Sequence, residues 1–187
     1  MHFSYISSDK TCSFQCDLIK SQCTALNTSN NKKCQQTTFH LPYCSHHTHS
    51  LLGLVVKKSN IPHAGHGLFA IRDFKKLEVI TPYIGTVLSN KEATERYGSA
   101  LNDLVPYGVR LNASSIVDSA CLRGIGSFAN DGKSKKLNNA HIIIDKSQNV
   151  YIQATKKILG GDEILVDYGS QYFSIPNEET KPIFQTF

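Results

Sequence analysis

Gly160-Gly161-Asp162-Glu163-Ile164-Leu165-Val166-Asp167-Tyr168-Gly169 is the stretch on which the fold of this chain turns. Two glycines and an aspartate make a turn, an apolar run follows, and the run ends in a tyrosine beside a glycine. Working outward, similar short apolar segments recur, each broken by Gly, Asn or Asp. Residues 54–58, 68–71, 79–83, 109–111, 116–118, 141–145, 150–154 and 164–167 all read as strands. Helical periodicity is confined to 90–97, with Ser89 or Asn90 as N-cap and Glu92 in the first turn. This pattern predicts a mainly β domain from residue 51 onward.

Composition sets the outer bounds. With 187 residues, 40% of them apolar and 19% charged, the chain can build a core and is neither disordered throughout nor fibrous. No apolar run approaches the roughly 18 residues that span a bilayer. The start, MHFSYISSDK, lacks the basic and apolar regions of a secretory signal. A soluble, unsecreted protein without a membrane partner is the expectation. The net charge of +5 is mild, and Lys133-Ser134-Lys135-Lys136 reads as a solvated loop. It neither points to a nucleic-acid surface nor excludes one, and no signal for an oligomeric state is legible.

Cysteine placement divides the chain. Cys12, Cys16, Cys23, Cys34 and Cys44 lie in the first 44 residues, with His2, His40, His46, His47 and His49 close by. In a reducing compartment disulfides are the weaker explanation, and clustered thiols and imidazoles read as a metal site. Residues 1–50 are poor in aliphatic side chains, so a structural Zn²⁺ would supply the stability a core cannot. Cys44-Ser45-His46-His47 presents two ligands from one turn. The string QCTALNTSNNKKCQQTTFHLPYCSHH resembles small zinc modules of the form Gln-Cys-x-Ala…Cys…Tyr-Cys-x-x-His. That resemblance implies Cys23, Cys34, Cys44 and His47 as ligands. Cys12 and Cys16, or His40 or His46 in place of His47, are the alternatives.

Four further motifs occur in order: Gly65-His66-Gly67-Leu68-Phe69-Ala70; Tyr83-Ile84-Gly85; Tyr107-Gly108-Val109-Arg110-Leu111 leading to Asp118; and Ala154-Thr155-Lys156-Lys157-Ile158 leading to the 160–169 stretch. Together they resemble the SET-domain family of protein lysine methyltransferases over residues 54–173. The resemblance implies a SET-domain fold of several small sheets, with a knotted arrangement in which the segments around Asn130 and Tyr168 thread together. It implies S-adenosyl-L-methionine as methyl donor, a protein substrate such as a histone tail, and a nuclear location, with the cytoplasm as the alternative. Domains follow as a Cys/His-rich region at 1–50, a SET domain at 51–173, and a tail at 174–187 that closes the substrate channel.

The resemblance also assigns roles. Tyr168 is the hydroxyl at the reacting centre, with Tyr83 and Tyr107 as channel walls. Gly65, His66, Gly67, Asn130, Asp131 and Tyr168 are the cofactor residues, and Val166 and Phe173 line the channel. Methyl transfer to an amine needs alignment and a neutral nucleophile, which an apolar, tyrosine-lined channel supplies. One departure stands out: the family has Arg-Phe-x-Asn-His-Ser-Cys, whereas this chain has Ser127-Phe128-Ala129-Asn130-Asp131-Gly132. Aspartate at 131 suffices if that position works through its backbone. If it works through its side chain, a non-catalytic zinc and SET-like interaction module becomes the alternative function. Glu163 reads as a surface or turn-stabilising residue, and Cys121 as a packing residue.

Overall fold

The computed structural model describes residues 2–6, 12–27, 29–98 and 105–169. Phe173 and the 174–187 tail lie outside the described residues. The strands are β1 (His2–Ile6), β2 (Ser13–Asp17), β3 (Ser21–Gln22), β4 (Thr37–Thr38), β5 (Leu54–Lys58), β6 (His66–Ala70), β7 (Val79–Pro82), β8 (Thr86–Ser89), β9 (Gly108–Asn112), β10 (Ser115–Asp118), β11 (Ala140–Ile144) and β12 (Val150–Ala154). The α-helices are α1 (Ser45–His47), a single turn, and α2 (Asn90–Tyr97), with a π-helical segment at Thr48–Leu52 and a 3-10 segment at Ile125–Phe128. This is a mainly β fold of small sheets. The chain separates into two compact units, one holding residues 1–19, 85–123 and 168–187, the other 20–84 and 124–167. The 1–50 stretch is therefore divided between them.

In the first unit, β1 and β2 form an antiparallel pair, and β10 lies between β8 and β9 in an antiparallel sheet. Helix α2 begins where the sequence places it. Ser89 accepts from the Glu92 N–H, and Glu92 returns a bond to the Ser89 N–H, so two of the helix's orphan donors are satisfied reciprocally. The helix turns Ala93 and Tyr97 inward. Tyr97 meets Phe3, Tyr5 and Ala120 in one core, with Phe14, Val105 and Tyr107 packed at its margin. Alternation places Phe3 and Tyr5 on one face of β1, as a half-buried strand requires. The β1–β2 pair lies in a stretch that the sequence assigned to a metal region. Aromatic packing holds it in place.

Two polar features fix this unit from inside. The Asp118 carboxylate is buried and accepts from the Tyr97 hydroxyl at 2.8 Å, Arg96 Nη1 at 3.0 Å and the Ala120 N–H at 2.9 Å. Burial pushes its carboxyl above the usual range, against these three stabilising partners. Arg123, also buried, stacks its guanidinium 4.1 Å from the Tyr107 ring centre and donates to the carbonyls of Ser119 and Ala120. Tyr107 has φ of 59°, a left-handed conformation uncommon for a tyrosine.

The second unit carries the β5–β6 pair and a sheet in which β12 lies between β11 and β7. Its buried side chains include Leu54, Leu68, Phe69, Phe74, Ile152, Ile158, Ile164 and Val166. Residues 164–167, expected as a strand, instead run through isolated bridges: Glu163 with Phe69, Leu165 with Asn130, and Val166 with Ala140. Three separate segments each supply one or two partners, so no continuous ladder forms. The Ile164 N–H donates to Leu68 O and the Val166 N–H to Asn130 O, both at 2.8 Å. The N–H groups of Asn139 and Ala140 both donate to Leu165 O at 2.9 Å. Asn139 adds its side chain, taking the Leu165 N–H and donating to Glu163 O.

Cys16 and Cys121 form a disulfide, which corrects the packing role given to Cys121 and removes Cys16 from the alternative metal ligands. The bond ties β2 to the segment after β10, where the Ile19 N–H also donates to Cys121 O at 2.9 Å. Its partners are 105 residues apart, a loop whose closure restricts the unfolded chain by about 4–5 kcal/mol. Cys12, Cys23, Cys34 and Cys44 are left as thiols. Denatured, unreduced protein should therefore show four maleimide-reactive thiols, and reduced protein all six cysteines. Six reactive thiols before reduction would contradict the bond.

Candidate functional site

The second unit gathers a candidate metal centre from segments that cannot pack alone. The Cys23 N–H donates to Gln36 O at 2.9 Å and the Cys34 N–H to Ala25 O at 2.8 Å. Between them the chain reverses at Asn27–Lys32, where Asn27 Oδ1 accepts from the Ser29 N–H in an Asx turn. Cys44 caps the single turn of α1, which carries His47 back over it three residues later. His47 Nδ1 lies 3.3 Å from Cys44 Sγ and 3.5 Å from Cys23 Sγ. The ligand atoms of Cys23, Cys34, Cys44 and His47 all lie within 4.8 Å of one another.

Three sulfurs and one imidazole at that spacing fit a closed tetrahedral Zn²⁺ site. Burial raises the Cys23 thiol, but hydrogen bonds from the backbone at Cys44 and Ala25 outweigh it and hold the thiol below its ordinary value. Cys34 is held above its ordinary value: the Gln36 N–H lowers it, while burial and the neighbouring Cys23 raise it. The other candidate ligands go elsewhere. Cys12 Sγ lies 3.1 Å from Arg96 O in the first unit, and Cys16 is in the disulfide. The His40 ring meets the Phe128 ring edge-on at 4.7 Å, and His46 is exposed.

The cofactor-turn residues form a second cluster in the same unit. Residues 59–65 close on themselves, with the Ser59 N–H donating to Gly65 O at 2.9 Å. Gly65 has φ of 69°, and His66 begins β6 with its side chain exposed. Gly67 is required on steric grounds: a Cβ there would collide with the Glu163 carboxylate and lie 3.2 Å from Asn130 Nδ2. Asn130 Nδ2 donates to His66 O at 3.0 Å and to Glu163 Oε1 at 3.3 Å. Asn130 and the 65–67 turn are thus brought together. An exposed backbone turn facing a fixed amide fits the polar end of a small ligand.

Glu163 is not a surface residue. It is 6% exposed and accepts from Ser59 Oγ at 2.6 Å and the Asn60 N–H at 2.7 Å. Residues 163 to 166 are all buried, so no alternation marked it as inward-facing. Asp131 is likewise buried, with Oδ1 accepting from the Lys133 N–H at 2.6 Å and from Asn138 Nδ2 at 3.2 Å. Its side chain closes the 131–138 loop.

The tyrosines are divided. Tyr83 is buried in the second unit, where its N–H donates to Val150 O at 2.8 Å. Tyr107 and Tyr168 belong to the first, and Tyr168 is partly exposed. Val166, two residues before Tyr168, is 1% exposed. Gly85 of the Tyr83-Ile84-Gly85 motif lies against the end of β10, where a Cβ would come within 2.5 Å of Asp118 O.

Comparisons with known proteins accord with this arrangement. The SET domain family matches residues 65–169, more than half of the chain. The chain is 26% identical over 160 residues to histone-lysine N-methyltransferase 2D of Homo sapiens, covering 76% of this chain and 3% of that protein. It is 28% identical over 122 residues to N-lysine methyltransferase KMT5A-A of Xenopus laevis, covering 62% and 36%. It thus spans a small part of the length of these curated relatives. A solved structure of the Chaetomium thermophilum polycomb repressive complex 2 matches with a TM-score of 0.55 at 25% identity, over 70% of this chain and 16% of that one. A related structure, of an autoinhibited conformation bound to S-adenosylmethionine, matches with a TM-score of 0.54 at 26% identity, over 67% and 16%.

Chelation should release about one zinc per chain and loosen residues 20–50, while β11, β12 and β7 stay folded. Metal analysis of freshly purified protein, with hydrogen exchange before and after chelation, checks this. Protein with no zinc would overturn the site.

Proposed function

Since the chain belongs to the SET-domain family, we propose that it is an S-adenosyl-L-methionine-dependent protein-lysine N-methyltransferase acting on a histone tail, and so working in the nucleus. One observation supports this reading above the others. Within the family-matched stretch, the segment leading to Tyr168 is held by backbone hydrogen bonds at Asn130, Asn139 and Ala140, and Asn130 in turn holds the 65–67 turn. The methyl donor's sulfonium supplies an electrophilic methyl group. The chain's own residues bind, orient and exclude water. Gly65, His66, Gly67 and Asn130 hold the donor, and Asp131 contributes backbone only, because its carboxylate is engaged within its own loop.

The Tyr168 hydroxyl would accept a hydrogen bond from the neutral lysine amine and hold its lone pair in line. As the N–CH3 bond forms and the S–CH3 bond breaks, positive charge passes from sulfur to nitrogen, and the new ammonium gives its proton to solvent. Tyr83 and Tyr107 are the further tyrosines that the family likeness assigns to the channel, and the Tyr107 ring already carries the Arg123 guanidinium. Residues 51–173 are the catalytic body, and Cys23, Cys34, Cys44 and His47 a zinc-held brace beside it in the sequence. Transfer of labelled methyl groups from S-adenosylmethionine onto mixed histones tests the whole reading. Neither binding nor transfer would leave the non-catalytic interaction module.

Two outcomes are specific to named residues. Tyr168→Phe should lower kcat about a hundredfold or more while the donor's affinity stays near that of the unaltered protein. Near-normal turnover in that variant would refute the assignment. Val166, small and without a hydroxyl, cannot hold a water in the space of a second methyl group, so the expected product is di- or trimethyl-lysine. A competing hydroxyl from Tyr83 or Tyr107 is worth a similar amount, about 1 kcal/mol for one net hydrogen bond. Mass spectrometry of a peptide product at long incubation checks this: a clean stop at one methyl group contradicts the prediction.

A further inference from the structure

The disulfide of the first unit closes a circuit around Tyr107. Cys16 stands directly across the β1–β2 pair from Phe3, so the two side chains share its inward face. The Phe3 ring meets the Tyr107 ring edge-on, centre to centre at 5.9 Å. At the other end of the bond, Cys121 precedes Arg123 by two residues, and the Arg123 guanidinium sits 4.1 Å from the centre of the same tyrosine ring. The Tyr107 carbonyl also accepts from the Ser119 N–H at 3.0 Å, just before Cys121. The bond thus joins the two elements that hold Tyr107, one through an aromatic edge and one through a cation. The tyrosine needs holding: its φ of 59° lies in the left-handed region, which a bulky residue keeps only where its surroundings impose it.

The bond is also open to chemistry, since Cys16 and Cys121 are both half-buried rather than sealed. The unit's third cysteine, Cys12, donates to Arg96 O at 3.1 Å and lies four residues of extended chain from Cys16, about 13 Å. It does not reach the bond, and the electrons that open it come from a dithiol in solution. We propose that Cys16–Cys121 is a reversible redox modification site that sets how firmly Tyr107 is held, and with it the fit of the substrate lysine stem. This rests on the function proposed above, where Tyr107 belongs to the channel, and adds a chemical input to it. One thiolate of the dithiol attacks a sulfur of the bond, and the other cysteine leaves as a thiolate and takes a proton. The dithiol's second thiol loses its proton and resolves the mixed disulfide. Two cysteine thiols are formed, and the dithiol ends as its own disulfide. Phe3 and Arg123 then sit on segments no longer tied to each other, and Tyr107 loses the frame that imposes its backbone.

The test titrates the native full chain with dithiothreitol, zinc being present throughout, and follows it by thiol alkylation, hydrogen exchange and kinetics. Opening of the bond should speed amide exchange in residues 2–6, 13–17 and 107–112 about tenfold or more, and reoxidation should restore it. The peptide KM should rise about threefold or more, while S-adenosylmethionine affinity changes by less than about twofold. The double variant Cys16→Ser/Cys121→Ser should match the reduced protein and should not respond to dithiothreitol, which separates this bond from the thiols of the metal cluster. If that variant does not fold, the titration of the unaltered protein decides, because it needs no substitution. A bond that resists dithiothreitol in the native protein overturns the proposal and leaves a purely structural cross-link. So does a bond that opens with no change in exchange at 107–112 or in peptide KM, or a response to dithiothreitol that persists in the double variant. If the oxidised protein neither binds S-adenosylmethionine nor transfers a methyl group, the proposed function itself fails, and the exchange at 107–112 still judges the hold on Tyr107.

Discussion

A run of four residues, 163–166, is joined through its backbone to residues 68–69, 130 and 139–140 of the second unit. Everything assigned to donor binding in this unit leans on that run. Residue 163 provides the carboxylate that orders Asn130, Ile164 bonds to the strand that begins with His66, and Val166 bonds to the Asn130 carbonyl. A buried peptide group without a partner costs about 1–3 kcal/mol, so the several groups here hold one another in place. The geometry of the turn at 65–67 is thus set by residues almost one hundred positions later.

Much of the local structure was legible because it follows local rules. The strands at 54–58 and 150–154 are bounded as their apolar runs are, and the 90–97 helix has the Ser89–Glu92 capping pair. The likeness to small zinc modules anticipated the four side chains that converge, while the spacing alone placed only Cys44 and His47 together, because a single turn is set by short-range geometry. What was illegible depends on distant partners. The β1–β2 hairpin has no helix or turn signature of its own kind, and its place is set by Tyr97 and by Cys121, both far along the chain. Glu163 looked like a turn residue because charge ordinarily goes outward. Only the donors at Ser59, Asn60 and Asn130 make its burial tolerable, and they come from two other segments.

The two regions rich in sulfur solve one problem by different means. Neither 2–19 nor 20–50 holds enough aliphatic bulk to order itself. The first leans on an aromatic cluster and a cross-link; the second converges on four ligand atoms. Their chemical sensitivities are accordingly distinct, since a reductant acts on one and a chelator on the other.

The late position of residues 163–166 has a consequence for synthesis. A ribosome releases the 65–70 strand, the Asn130 segment and β11 well before the run that bridges them. Until that run emerges, Leu68 O and Asn130 O lack the bonds they make in the finished chain, and the apolar faces they border are unsealed. Long-range closure of this kind is slow relative to hairpin formation and exposes partly built sheets in the meantime. The nascent chain must therefore be kept from self-association until residues 163–166 are out. A stall or cleavage before residue 163 would release a species with most of its strands but without the bonds that Glu163, Ile164 and Val166 make to Ser59, Asn60, Leu68 and Asn130.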